Sequence, residues 1–266
     1  AFSTLFFTAC NKENSLQVIN SDDENDIVNT DLPAYTGGAK LKKQVIYNPA
    51  NGFAVTIYYD YNDKQKLDKV TVENANNEGT TVTDQLIYGA DDKLAGLDIS
   101  DNHGYTSGYK FVYDAQGRIV QKLTDPTRST DPSAHSFAYD AQNRIIADTV
   151  FAENPYLLYS YQTYTYNDAG NMTHITNYKF TNGAWQETWG PSEFLYDDKV
   201  NPFYSLRDEL MYVTMGVMAF GKNNQVNLNN GTTVYEYYLN GLPGKIVSNF
   251  GEAENAQTVY YLFYYE

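Results

Sequence analysis

"YDAQGRI" at Tyr113–Ile119 and "YDAQNRI" at Tyr139–Ile145 decide the fold of this 266-residue chain. Phe111 and Phe137 stand two positions before each Tyr. Side chains two apart in a strand share a face, so each stretch begins as a strand with an apolar pair on one side. Asp114 and Asp140 occupy the place where a type I turn favours Asp, whose carboxylate accepts from backbone N–H groups two residues on. Gly117 and Asn143 come next, residue types that tolerate the left-handed backbone needed to close the turn. "RIVQKL" and "RIIADTV" then resume as strands. Each stretch therefore reads as a β-hairpin whose loop is a type I turn plus a bulge residue.

Aligned on that Tyr, the frame recurs at Tyr59, Tyr88, Tyr113, Tyr139, Tyr166, Tyr196 and Tyr237, at spacings of 29, 25, 26, 27, 30 and 41. Four residues after each Tyr come Asp63, Asp92, Gly117, Asn143, Gly170, Val200 and Gly241. Only Val200 departs from Gly, Asn or Asp. It opens the long stretch without the motif, where Asn201-Pro202 disfavours helix at Asn201 and at most one short helix is expected near 203–217, with Leu206, Leu210 and Val213 on one face. The expected class is all-β: repeated antiparallel hairpins in one large curled sheet of about 12 to 16 strands, open-barrel-like or sandwich-like, because flat sheets seldom exceed about 10. The final "TVYYLFYYE" is apolar on both alternations and reads as an interior or closing strand. In "YLLYSYQTYTY", Tyr159 and Tyr161 fall on one parity and Tyr164 and Tyr166 on the other, which predicts a bulge or turn between the pairs.

A hydrophobic fraction of 42%, with 26 Tyr and 13 Phe, suits a folded strand-rich core rather than a disordered chain. The net charge of −15 repels phosphate backbones, which argues against nucleic acid as a partner. No run of about 18 apolar residues is present to cross a bilayer as a helix.

"AFSTLFFTAC" at Ala1–Cys10 is apolar and ends in small residues. Leu5-Phe6-Phe7-Thr8-Ala9-Cys10 resembles the signal of bacterial lipoproteins. That resemblance implies a truncated signal peptide over 1–9 and lipidation of Cys10, the only cysteine, which would anchor the chain to a membrane through acyl chains. Residues 10–39, which include "NKENSLQVINSDDENDIVNTD", read as an acidic flexible tether. Asp22, Asp23, Glu24 and Asp26 lack the alternation and central Gly of a calcium loop. Residues 40–266 then form the repeat domain.

The Tyr-Asp-x-x-Gly-Arg-Ile motif resembles the YD repeat of the RHS family, whose repeats form consecutive hairpins in a curling sheet. Together with "YDDKVNPF" at Tyr196–Phe203, "KNN" at Lys222–Asn224 and "YEYYLNGLPGKI" at Tyr235–Ile246, the lipoprotein-like start resembles a group of uncharacterised surface lipoproteins of gut-dwelling Gram-negative bacteria. The resemblance implies an outer-membrane location, facing the cell surface, and carries over no functional residues.

His103, His135 and His174 have no paired metal-ligand spacing, and neither a phosphate loop nor GxSxG is present. No metal or cofactor is expected. A carboxylate pair of the glycosidase type shows only in three dimensions. The recognition candidate is "NGAWQETWG": Asn182-Gly183 signals a tight hairpin, and on a regular strand Trp185 and Trp189 share a face about 13 Å apart. Two such indoles either stack on alternate units of a glycan or plug the core. The leading expectation is a lipid-anchored cell-surface module that binds a glycan or peptide and is not an enzyme. A structural protein contacting other outer-membrane components is the alternative, and a glycoside hydrolase comes third.

Overall fold

The computed structural model of the chain describes residues 30–34, 39–74, 79–127, 133–152, 158–210, 220–227, 231–251 and 257–266. Hairpins succeed one another along the chain: β1 (Leu41–Asn48), β2 (Phe53–Tyr61), β3 (Leu67–Asn74), β4 (Thr80–Tyr88), β5 (Leu94–Asp101), β6 (Thr106–Tyr113) and β7 (Ile119–Thr124). They continue through β8 (Ser133–Tyr139), β9 (Ile145–Ala152), β10 (Leu158–Tyr166), β11 (Met172–Thr181) and β12 (Ala184–Glu193). A short ribbon, β13 (Tyr196–Val200) with β14 (Asn223–Gln225), precedes β15 (Thr232–Tyr237), β16 (Pro243–Phe250) and β17 (Gln257–Tyr265).

Fifteen strands form one antiparallel sheet in the order β12 back to β1, then β17, β16 and β15, with the ribbon as a separate pair. The last strand is thus interior, hydrogen-bonded to β1 on one side and β16 on the other. Laid flat at ~4.8 Å per strand, the sheet would be about 65 Å wide. It curls instead. Near one end, Phe194 N–H donates to Thr173 O (2.8 Å) and Asn171 exchanges hydrogen bonds with Asn223. At the other end, Tyr235 donates its hydroxyl to Gln225 O (2.5 Å) and Tyr237 to the Asp197 carboxylate. The ribbon therefore bridges the two ends of a sheet that no backbone ladder closes.

The reversals of the two closest repeats are each built by one aspartate. Asp114 accepts from the N–H groups of Gln116 (3.0 Å) and Arg118 (2.9 Å), and Asp140 does the same for Gln142 and Arg144. The chain turns at Gly117, Asn143, Gly170 and Gly241, with φ of 79°, 60°, 86° and 82°. The Arg118 N–H leads the interactions that hold the Asp114 carboxyl below the usual carboxylate range; at Asp140, partial burial opposes ionisation and the Arg144 bonds outweigh it. Arg118 and Arg144 fold back onto these carboxylates at 2.7 Å.

The first repeat corrects the sequence frame. Its Tyr is Tyr61, not Tyr59, since Asn62 takes the turn role and Gln65, at φ 65°, takes the left-handed position assigned to Asp63. Asp60 is a strand residue paired with Lys69. Tyr59 stands two residues earlier on the same face and is fully buried.

The motif Tyr links neighbouring repeats. Tyr61, Tyr88, Tyr113, Tyr139 and Tyr166 donate their hydroxyls to the carbonyls of Leu41, Leu67, Leu94, Ile119 and Ile145, at 2.5–2.7 Å. These acceptors are the first residues of β1, β3, β5, β7 and β9. The cation just before each acceptor covers the same ring: Lys40, Lys66, Lys93, Arg118 and Arg144 lie 4.6–5.2 Å from the ring centroids. Burial pushes the Tyr113 phenol up to about 12, which keeps the proton on the donor.

One face of the sheet, here the inner face, carries the core: Ile57, Leu67, Leu97, Ile119, Ile145, Met172 and Ile175 are buried together with Phe203, Leu206, Leu210 and Phe220. Those last four come from the stretch between β13 and β14. Asn201 accepts from Phe203 N–H and donates to Gly221 O, pinching the base of that stretch. A 3-10 turn at Tyr204–Leu206 runs into the helix α1 (Arg207–Leu210), and Val213 lies outside the described residues. Phe203 meets Tyr59 and Phe263 at 6.3 and 6.0 Å, and Phe220 stacks on Tyr164 at 4.9 Å. The segment is a plug. The Pro33 carbonyl accepts from the Tyr238 hydroxyl at 2.8 Å.

Gly117→Val forces a β-branched residue to positive φ and should cost on the order of 1–2 kcal/mol in denaturant melts. Glu209, on the plug helix, has its pKa pushed up to about 6, first by burial and then by the charge of Asp208. A carboxyl whose folded pKa exceeds its unfolded value near 4.5 contributes most below that value, so stability falls as pH rises from about 4.5 to 6. Thermal melts of Glu209→Gln should show a weaker decline across that window and a higher melting temperature than the parent at pH 7.5.

Candidate functional site

The β11–β12 hairpin turns on Asn182 and Gly183, at φ of 54° and 79°, the two-residue type I′ geometry that Asn-Gly favours. Thr181 pairs with Ala184 and Phe180 with Trp185, which sets the outer face at this end of the sheet. Tyr161 of β10 pairs with Tyr178 of β11 on the same face. The four rings form one group: Tyr161 lies 5.6 Å from both Tyr178 and Trp185, and Phe180 meets Trp185 edge-on at 5.3 Å.

Trp185 is 38% exposed and Phe180 41%, so the group faces solvent rather than plugging the core. Large aromatic rings grouped in the open mark contact surfaces more often than isolated exposed ones do. Glu187 stands opposite Tyr178, and Thr149 beside Tyr161, giving the aromatic floor hydrogen-bonding neighbours.

The alternation expected between positions 185 and 189 is broken. Tyr178 pairs with Glu187 but Asn177 with Trp189, so Thr188 is an extra residue in β12 and the alternation slips. The position of Trp189 falls across from Asn177, three residues from Phe180 and on the other parity; its side chain lies outside what the structure describes. A second irregularity comes at Gly190, where φ is 123° and a Cβ would stand 2.8 Å from Ile175 O. Pro191 beside it lacks a backbone N–H, which is tolerated here because β12 is the end strand of the sheet. The Gly190-Pro191 pair is the mark that this irregular strand leaves in the sequence.

In β10 the register runs without interruption from Ser160 to Thr165, so no bulge separates Tyr161 from Tyr164. One Tyr serves the outer group and the other the inner core. Alternation along a single strand does not reveal Tyr161, Tyr178 and Phe180 as neighbours of Trp185, because the four rings come from three strands.

Cys10 lies outside the described residues. His103 bonds Thr80, His174 bonds Thr165, and His135 bonds Asp148. Among the described residues no group of three His, Cys, Asp or Glu is arranged to hold a metal.

No protein family and no curated protein matches the chain. Among solved structures, a porin-like protein from Bacteroides uniformis is similar over 84% of this chain and 97% of its own, at 14% identity and a TM-score of 0.45. The complex TcdB2-TccC3-Cdc42 is similar over 79% of this chain and 14% of that one, at 14% identity and a TM-score of 0.34.

Proposed function

We propose that the chain is a binding module, held at the outer membrane by a lipid on Cys10, that lays a glycan against its outer aromatic face. The observation that carries this reading is the exposed group of Trp185, Phe180, Tyr178 and Tyr161. Flat aromatic faces stack on the apolar C–H faces of sugar rings, while nearby Thr149 and Glu187 offer hydrogen bonds to hydroxyls. The anchor and the cell-surface location rest on the sequence of Ala1–Cys10.

The alternative is a structural contact with another envelope protein. It is favoured by the position of Trp185 on β12, an end strand whose outward backbone groups suit pairing with a further strand. Glycan-array screening separates the two. The parent protein should bind a subset of polysaccharides, with Trp185→Ala weakening that binding on the order of tenfold or more. Absence of binding to every glycan at high protein concentration would remove the glycan reading and leave the protein contact.

A further inference from the structure

On the inner face, the rows nearest the turns are sealed under the plug, and the next rows change character. One row runs Phe111, Lys122, His135 across β6, β7 and β8, and another Phe137, Asp148, Gln162, Asn177 across β8 to β11. His135 Nδ1 lies 3.1 Å from both oxygens of Asp148, and the His135 and Phe137 rings are stacked at 6.1 Å. Gln162 donates to Asn177 Oδ1 at 2.5 Å and accepts the Tyr164 hydroxyl at 2.8 Å. The Lys122 ammonium sits 4.1 Å from the centre of the Tyr109 ring. These groups are open enough for contact: the His135 side chain is 27% exposed and that of Asp148 14%.

We propose that this inner wall is a second binding site, on the opposite face of the sheet from the aromatic group, and that it takes an uncharged sugar. A carboxylate, two amides, an imidazole and an ammonium lie along two adjacent rows from β7 to β11, with His135–Asp148 and Gln162–Asn177 as the contacting pairs and the Phe137 and Tyr109 rings beside them. Asp148 has acceptor capacity for vicinal hydroxyls beyond its contact with His135, since a carboxylate offers about four lone-pair sites. Amide and ammonium N–H groups complement the hydroxyl oxygens, and a ring face takes the C–H side of the ligand.

Charge selects the class. Burial pushes the Lys122 ammonium down to about 8 while the fields of Asp84 and Asp148 act against that fall, so a weakened cation faces two carboxylates. An anionic ligand meets no net positive charge there, and the chain carries −15 in total. A polyol needs none. The partly open pocket between the ribbon and β16–β17, about 20 Å³ and lined in part by Asn201, Asn224 and Phe263, has room for about one water and is no competitor.

This wall is independent of the outer aromatic face, and the variants separate the two. The parent chain is titrated with glucose, galactose, mannose, N-acetylglucosamine and glucuronate by saturation-transfer NMR and calorimetry, while the His135 ring resonances are followed. At least one neutral sugar should bind and shift the His135 signals. Gln162→Ala and Asp148→Asn should each weaken the binding read at the His135 signals at least tenfold, whereas Trp185→Ala, which acts on the outer face, should leave the His135 titration as in the parent. No neutral sugar binding, tighter binding of glucuronate than of every neutral sugar, or parent-like binding by both inner-wall variants would overturn the proposal. Should Asp148→Asn fail to fold, the His135 shifts in the parent and the Gln162→Ala titration decide it.

Discussion

A phenol at the end of one strand, reaching the carbonyl at the start of the strand before it, is the contact on which the rest depends. From Tyr61 to Tyr166 it is made five times, always to the Leu or Ile that comes after a Lys or Arg. Neighbouring strands already share backbone bonds, but those bonds tolerate slippage by two residues with little change of face. The Tyr hydroxyl fixes the offset between repeats, and the cation over its ring shields that bond from water. Local hairpins become one sheet with a single register.

A sheet so built needs something to curl around. The interruption at Val200 supplies it: the chain leaves the hairpin series, forms the β13–β14 ribbon between the two ends of the sheet, and sends Phe203, Leu206, Leu210 and Phe220 onto the inner face. Plugging consumes only part of that face. The remainder carries Lys122, His135 and Asp148, and the outer face near β12 carries the aromatic group. Two surfaces with different chemistry therefore overlap on β10 and β11.

The reversals are legible in the sequence because they are local: Asp114, Gly117 and their equivalents act within five residues, through bonds that depend on residue type alone. Placing the first Tyr at Tyr59 fails for a related reason. Gln65 adopts positive φ against its preference, so the left-handed position of this turn carries none of the usual Gly, Asn or Asp, and Tyr59 offers a competing apolar pair with Ile57. The Tyr-to-carbonyl links span 19 to 21 residues and involve a backbone acceptor, which leaves no mark in composition. Position 189 shows the limit of alternation, since one extra residue at Thr188 shifts its pairing to Asn177 and a second irregularity at Gly190 shifts the register again. The inner polar wall is invisible in the sequence because Lys122, His135, Asp148 and Gln162 come onto one face only after four strands are in register.

Replacing Tyr113 and Tyr139 together by Phe removes two hydroxyls and keeps both rings, which isolates the inter-repeat bond. Equilibrium denaturation of the double variant should show a loss of roughly 2–3 kcal/mol, at about 1 kcal/mol or slightly more for each bond. A variant as stable as the parent would contradict the account that these phenols hold successive hairpins together.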